Sequence, residues 1–277
     1  MTDTAQWITL RVFPGFEHDA VIAALFEAGA QGVQELGDSV ITHGPDQAVV
    51  ERLSAAALAA CPAALIETER LPGIDWSVQW MQSIGVQTLG SLRVAPPWLA
   101  IGLDAARTIV IDPGMAFGTG EHATTRGVIR LLQQLIRPGD IVADLGAGSA
   151  VLAIAAAKLG AAHVAAIELD PDAIGNAEEN VERNGVSDRV TVIEGDAAIL
   201  LPLVAPVRVI TANIVSSVLI ELLPSFALAL SDDGRAILSG ILLDERKNMI
   251  SVFFNSGWRI EEEDQEDAWW SVTIVRR

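Results

Sequence analysis

Ile141-Val142-Ala143-Asp144-Leu145-Gly146-Ala147-Gly148-Ser149-Ala150 decides the fold. Its first five residues read as a short apolar strand, the small residues that follow as a tight turn, and residues 151–159 as a helix. Glycines at 146 and 148 let a ligand approach the backbone, and the start of a helix presents unpaired amides. In an open α/β sheet such a turn lies at the carboxyl ends of the strands, where ligands bind.

Further along the chain the same texture repeats. Apolar runs at 163–167, 190–193, 207–212 and 236–239 are separated by amphipathic helical patterns such as 172–184, which predicts a doubly wound, mostly parallel sheet. After Gly257 two strand-like runs, 258–263 and 269–275, follow one another without a helix and close the sheet as an antiparallel hairpin, for seven strands in all. The acidic run 261–267 reads as a solvated loop and strand edge.

Before this domain the periods change. Strands near 7–13, 32–36, 39–42 and 64–69 and helices at 19–28 and 45–60, the second with Pro45 in its first turn, follow the order β-α-β-β-α-β of a small ferredoxin-like α+β domain. Residues 71–105, with Trp76, Trp80 and Trp98, read as a linker carrying a short helix and a short hairpin. The expected division is therefore 1–70, 71–105 and 106–277. Thr124 or Thr125 is the expected N-cap of a helix over 126–136.

Composition bounds the partners. With 277 residues, 51% apolar and 19% charged, the chain is long and apolar enough for a real core. A net charge of −18 opposes binding to nucleic acid or anionic lipid and favours a basic partner. Residues 1–75 hold eleven acids against Arg11, Arg52 and Arg70, a balance of −8. The lone Cys61 forms no internal disulfide or thiolate metal site, and the first residues lack the pattern of a secretory signal, so a cytoplasmic, metal-free monomer is expected.

Glu168 ends the second strand of the large domain, 22 residues after Gly146, where an acid accepts hydrogen bonds from ribose hydroxyls. Nicotinamide dinucleotides and S-adenosylmethionine both satisfy that spacing. Two residues favour the second ligand. Val151 occupies the third small-residue position of a dinucleotide fingerprint, and Asp144 is expected to repel a pyrophosphate but to suit the positive sulfonium and amino groups. Asp196, in Glu194-Gly195-Asp196, either accepts from an adenine amino group or only makes a turn; Asn213 either orients an amine nucleophile or serves an ordinary strand-to-helix turn. Upstream, Asp112-Pro113-Gly114-Met115-Ala116-Phe117-Gly118-Thr119-Gly120-Glu121-His122-Ala123-Thr124-Thr125 is either a loop that folds over a ligand or a long capped connection, with His122 in a positioning or structural role.

Together these stretches resemble the PrmA family, bacterial methyltransferases of large-subunit ribosomal protein L11. Residues 112–125 are similar to its signature loop, 144–150 to its methyl-donor motif and Asn213-Ile214 to its post-strand motif. The resemblance implies a class I methyltransferase that uses S-adenosylmethionine to modify lysine side-chain and N-terminal amines of L11, with the small domain gripping the substrate. Carried over by position, Thr125, Gly146, Glu168 and Asn213 bind the donor, and Phe117 and Gly118 lie in the loop beside it. The residues themselves add Asp144, Gly148 and Asp196 as donor contacts and Asn213 as the catalytic side chain. Ala150 departs from the family's third glycine, Glu121 and Ala123 from its loop, and Glu168 from its commoner aspartate. The alternatives are a methyltransferase of another basic protein or of a small molecule, and a nicotinamide-dependent oxidoreductase.

Overall fold

A computed structural model describes residues 7–15, 17–30, 32–70, 84–112 and 120–277. The chain packs as two compact units, Met1–Ser83 and Ile84–Arg277.

The smaller unit runs β1 (Ile8–Phe13), α1 (His18–Glu27), β2 (Gln34–Leu36), β3 (Ser39–Gly44), α2 (Gln47–Ala60) and β4 (Leu65–Arg70). Its antiparallel sheet has the order β2-β3-β1-β4. Period-two alternation along β1 buries Ile8, Leu10 and Val12 against Val21 and Leu25 of α1 and Val50, Leu53 and Ala57 of α2. Each such aliphatic side chain contributes about 1.5–3 kcal/mol by leaving water. Helix α2 starts two residues later than the sequence predicts. Asp46 is its cap, accepting from the Val49 amide at 2.8 Å, so Pro45 lies outside the first turn.

The larger unit begins inside the segment that reads as a linker. Strands β5 (Gln87–Leu89), β6 (Leu92–Ala95) and β7 (Thr108–Val110) form a separate three-stranded sheet. Helix α3 (Ala123–Leu135) pins its hairpin: Gln133 Oε1 accepts from the Ser91 amide at 2.7 Å and Gln133 Nε2 donates to the Leu89 carbonyl at 2.9 Å. Residues 84–105 therefore pack with this unit, and the boundary falls at Ser83. The linker tryptophans Trp76 and Trp80 lie outside the described residues.

The main sheet contains β8 (Ile141–Leu145), β9 (His163–Glu168), β10 (Val190–Glu194), β11 (Val207–Asn213), β12 (Leu230–Leu242), β13 (Trp258–Glu266) and β14 (Trp269–Arg276) in the order β10-β9-β8-β11-β12-β14-β13. The first five are parallel, and β14 is antiparallel to both neighbours. This is the expected mostly parallel seven-stranded α/β sheet, with the last strand inserted before the penultimate one. Helices α3, α4 (Val151–Leu159) and α5 (Pro171–Arg183) pack with Val142, Val164 and Val209 on one face. On the other, α6 (Ala197–Val204), α7 (Ser216–Ala229) and α8 (Arg246–Asn255) pack with Ala143, Leu145 and Ile210. Strand order reverses between β8 and β11, which makes their carboxyl ends the switch point of the sheet.

The acidic run lies at a strand edge, as expected, since β13 is the outermost strand of the sheet, but it is strand rather than loop. It forms β13, and its carboxylates meet arginines: Arg235 Nε donates to Glu261 at 2.9 Å, Arg246 Nη2 to Glu263 at 2.7 Å, Arg130 Nε to Asp264 at 2.7 Å and Arg126 Nε to Glu266 at 2.8 Å. These partners hold the carboxyls of Glu261 and Glu266 below their ordinary range. No helix among the described residues is long and apolar enough to cross a membrane.

Candidate active site

The turn after β8 is built from left-handed backbone. Gly146, Gly148 and Ala150 have φ of +67°, +53° and +63°. Glycine adopts this conformation freely, whereas Ala150 bears a cost of about 1–2 kcal/mol. The Gly146 and Ala147 amides both donate to the Ile167 carbonyl, at 2.9 and 3.1 Å, which hangs the turn from the end of β9. Glu168, the next residue, accepts from the Gly148 amide at 2.7 Å and from the Asp170 amide at 2.9 Å. Its carboxylate is thus oriented by the turn it faces.

A cavity of about 610 Å³ opens over this turn, within the ~300–1,000 Å³ typical of small-molecule sites. Six of the sequence-predicted residues line it: Thr125, Gly146, Gly148, Glu168, Asp196 and Asn213. Asp196 also caps α6, accepting from the Ala198 amide at 2.8 Å. Asn213 ends β11 in register with Ser239 of β12. Phe117 and Gly118 lie outside the described residues.

Asp144 does not line the cavity, contrary to the expectation that it faces the ligand. It is fully buried behind the turn, where Oδ1 accepts from Thr211 Oγ1 at 2.6 Å and Oδ2 from the Ala153 amide at 3.0 Å. Its parity with Val142 sends the side chain toward the face that α4 covers, and α4 and β11 claim both oxygens. Burial pushes its pKa up to about 7, with the Glu168 charge adding to the rise and the two hydrogen bonds opposing it.

The N-cap of α3 also differs from expectation. His122, rather than a threonine, takes the position, with Nδ1 3.4 Å from the Thr124 amide and 2.7 Å from Thr124 Oγ1. Burial, with Arg126 nearby, holds the His122 pKa below its ordinary value, which keeps Nδ1 able to accept. Thr125 consequently sits inside the first turn. Its hydroxyl is buried without a hydrogen-bond partner among the described residues and belongs to the cavity wall. A buried hydroxyl without a partner has hydrogen-bonding capacity that a ligand or water in the cavity can take up.

The wall contributed by α7 was not legible as a site. Val215, Val218 and Leu222 recur at helical spacing, and Glu221 stands beside them. That periodicity was the available signal, but it is equally that of a core face. Leu169, exposed after β9, is a further lining residue. Among the described residues, the ionisable ones of the lining are Glu168, Asp196 and Glu221, all carboxylates. A pyrophosphate would meet no cation there, whereas a cationic ligand meets opposite charge.

Comparison with known proteins agrees with that chemistry. A family model described as ribosomal protein L11 methyltransferase (PrmA) matches residues 42–277. The chain belongs to the PrmA family. It is 35% identical over 246 residues to a ribosomal protein L11 methyltransferase of Pelotomaculum thermopropionicum, covering 87% of this chain and 79% of the relative. A namesake in Chloroflexus aurantiacus is 38% identical over 240 residues, covering 78% and 73%. A crystal structure of a ribosomal protein L11 methylase from Lactobacillus delbrueckii subsp. bulgaricus superposes with a TM-score of 0.62 at 30% identity, covering 70% of this chain and all of that one.

As a PrmA-family member the chain is a class I methyltransferase whose methyl donor is S-adenosylmethionine. The cavity fits that donor on its own evidence. Its carboxylates suit a cation and ribose hydroxyls, and Thr125 supplies an unpaired hydroxyl.

Proposed function

We propose that this PrmA-family chain methylates ribosomal protein L11, transferring methyl groups from S-adenosylmethionine to lysine side-chain and N-terminal amines. The observation that carries the reading is a cavity at the sheet's switch point whose described lining combines carboxylates, a hydroxyl without a partner among the described residues and the Asn213 amide, with no Lys or Arg among those residues. When bound, the donor supplies an electrophilic methyl group. Thr125, Gly146, Gly148, Glu168 and Asp196 hold it. Asn213 accepts a hydrogen bond from the incoming amine and turns its lone pair toward the methyl group.

A free lysine amine has a pKa of ~10.4, so the acceptor must lose a proton before it reacts. Val215 and Val218 at the cavity wall lower that value by desolvation, and the proton leaves to water. Alignment and exclusion of water then do most of the catalytic work. The −8 balance of residues 1–75 supports recognition of a basic protein by the smaller domain, in a cytoplasmic monomer that binds no nucleic acid.

Incubation with labelled donor and unmethylated ribosomal proteins, followed by mass spectrometry of the labelled band, tests the reading. Label on L11 amines is expected. Label on another protein only, or none, overturns the substrate assignment. Protection against heat by NAD but not by S-adenosylmethionine would favour the oxidoreductase alternative.

A further inference from the structure

The Asn213 turn is held from outside the donor cavity. Gly240, near the carboxyl end of β12, has φ +80°, and a Cβ there would lie 2.4 Å from the Ile214 carbonyl oxygen, 2.8 Å from its carbon and 3.1 Å from its nitrogen. All three are backbone atoms, which cannot rotate aside. On its other side Ile214 abuts Gly146, whose Cβ would meet Cγ2 at 2.5 Å. The residue after Asn213 is therefore wedged between two left-handed glycines, one on the donor turn and one on the neighbouring strand.

A second tie acts two residues further on. Ser216 Oγ donates to Glu245 Oε1 at 2.6 Å, and the Leu242 amide donates to Glu245 Oε2 at 2.9 Å. One carboxylate thus fastens the start of α7 to the end of β12. Neither Gly240 nor Glu245 lines the donor cavity.

We propose that Gly240 and Glu245 are positioning residues for methyl transfer: the segment 240–245 brackets the 213–216 turn and sets where Asn213 presents its amide to the acceptor amine. The inference rests on the reading of Asn213 given above. Misplacing an aligned group by about 1 Å costs on the order of 100-fold in rate. Loosening one of two ties costs less. Loss of Glu245 therefore lowers kcat by about 10-fold, because alignment rather than donor contact is disturbed.

The experiment compares wild type, Asn213→Ala, Glu245→Ala, Glu245→Gln and Gly240→Ala with saturating unmethylated L11, reading kcat, donor KM and the Kd of S-adenosylhomocysteine. Gly240→Ala carries backbone strain and can fail to fold, so Glu245→Ala, at the half-buried residue that caps α8, is decisive. Expected are a kcat about 10-fold lower for Glu245→Ala with donor KM and Kd within about threefold, and recovery of most activity in Glu245→Gln, which keeps an acceptor oxygen. An unchanged kcat in Glu245→Ala overturns the inference, as does a loss carried entirely by donor KM or a glutamine variant no better than alanine. If Asn213→Ala is as active as wild type, or wild type does not label L11, the underlying reading fails instead and this inference falls with it.

Discussion

Asp144→Asn is expected to leave donor binding intact while removing a pH-dependent penalty on folding. The carboxylate is fully buried and accepts from Thr211 Oγ1 and the Ala153 amide. An asparagine oxygen can accept from Ala153 while its amide donates to the Thr211 hydroxyl, which rotates to receive it. In the folded chain the group titrates near 7 rather than at 3.8, so the native state keeps a proton that the unfolded chain releases. The stability it contributes is full below the unfolded pKa, falls as pH rises through the folded one, and is level beyond. A gap of about three pH units at about 1.4 kcal/mol each comes to about 4 kcal/mol. Asparagine does not titrate. Denaturant unfolding between about pH 4 and pH 8 should therefore shift the difference between variant and wild type by about 4 kcal/mol in the variant's favour. Calorimetry with S-adenosylhomocysteine should give a Kd within about threefold of wild type. Parallel pH profiles, or a donor affinity lower by about 10-fold or more, as loss of a charged hydrogen bond would give, refute the reasoning.

Thr125→Val keeps shape and removes only a hydroxyl that has no partner among the described residues, so the ligand-free chain should gain about 1 kcal/mol in unfolding free energy while donor affinity falls by about 10-fold. Equilibrium unfolding and calorimetry on the same preparation check both directions; a loss of ligand-free stability would show that the hydroxyl has a protein partner. Gly146→Ala combines a left-handed φ, worth about 1–2 kcal/mol of strain, with a methyl placed against Ile214 Cγ2. Adding Ile214→Ala relieves only the second part, so a double-mutant cycle on stability should show coupling on the order of 1 kcal/mol. A coupling indistinguishable from zero would mean that this contact does not exclude a side chain at position 146.

Strand β8 was legible to the residue because an apolar run bounded by proline, glycine and a glycine turn leaves one register open. The parity of Asp144 was legible too, but not the return of α4 across it, which depends on how the helix packs after the turn. Strand β12 extends well before 236 because Ser231-Asp232-Asp233-Gly234, polar enough to read as a turn, is accommodated by a register irregularity between Val207 and Val209. At α3, two threonines looked like better caps than the histidine that takes the position, since intrinsic cap preference ignores what the cavity does with the hydroxyl of Thr125. Among the residues lining the cavity, Glu168 was predictable from spacing alone. The wall from α7 was not, because its apolar stripe reads the same whether it faces a core or a ligand.

Donor binding by the switch-point cavity is tested most directly by methyl transfer to purified, unmethylated L11 by wild type and by Glu168→Ala at donor concentrations below KM, followed by intact mass. Wild type should add whole methyl increments to L11, and the variant should do so at least about 10-fold more slowly, the cost of losing a carboxylate that accepts charged hydrogen bonds from the ligand. An L11 mass unchanged by wild type, or equal rates for the two proteins, would contradict it.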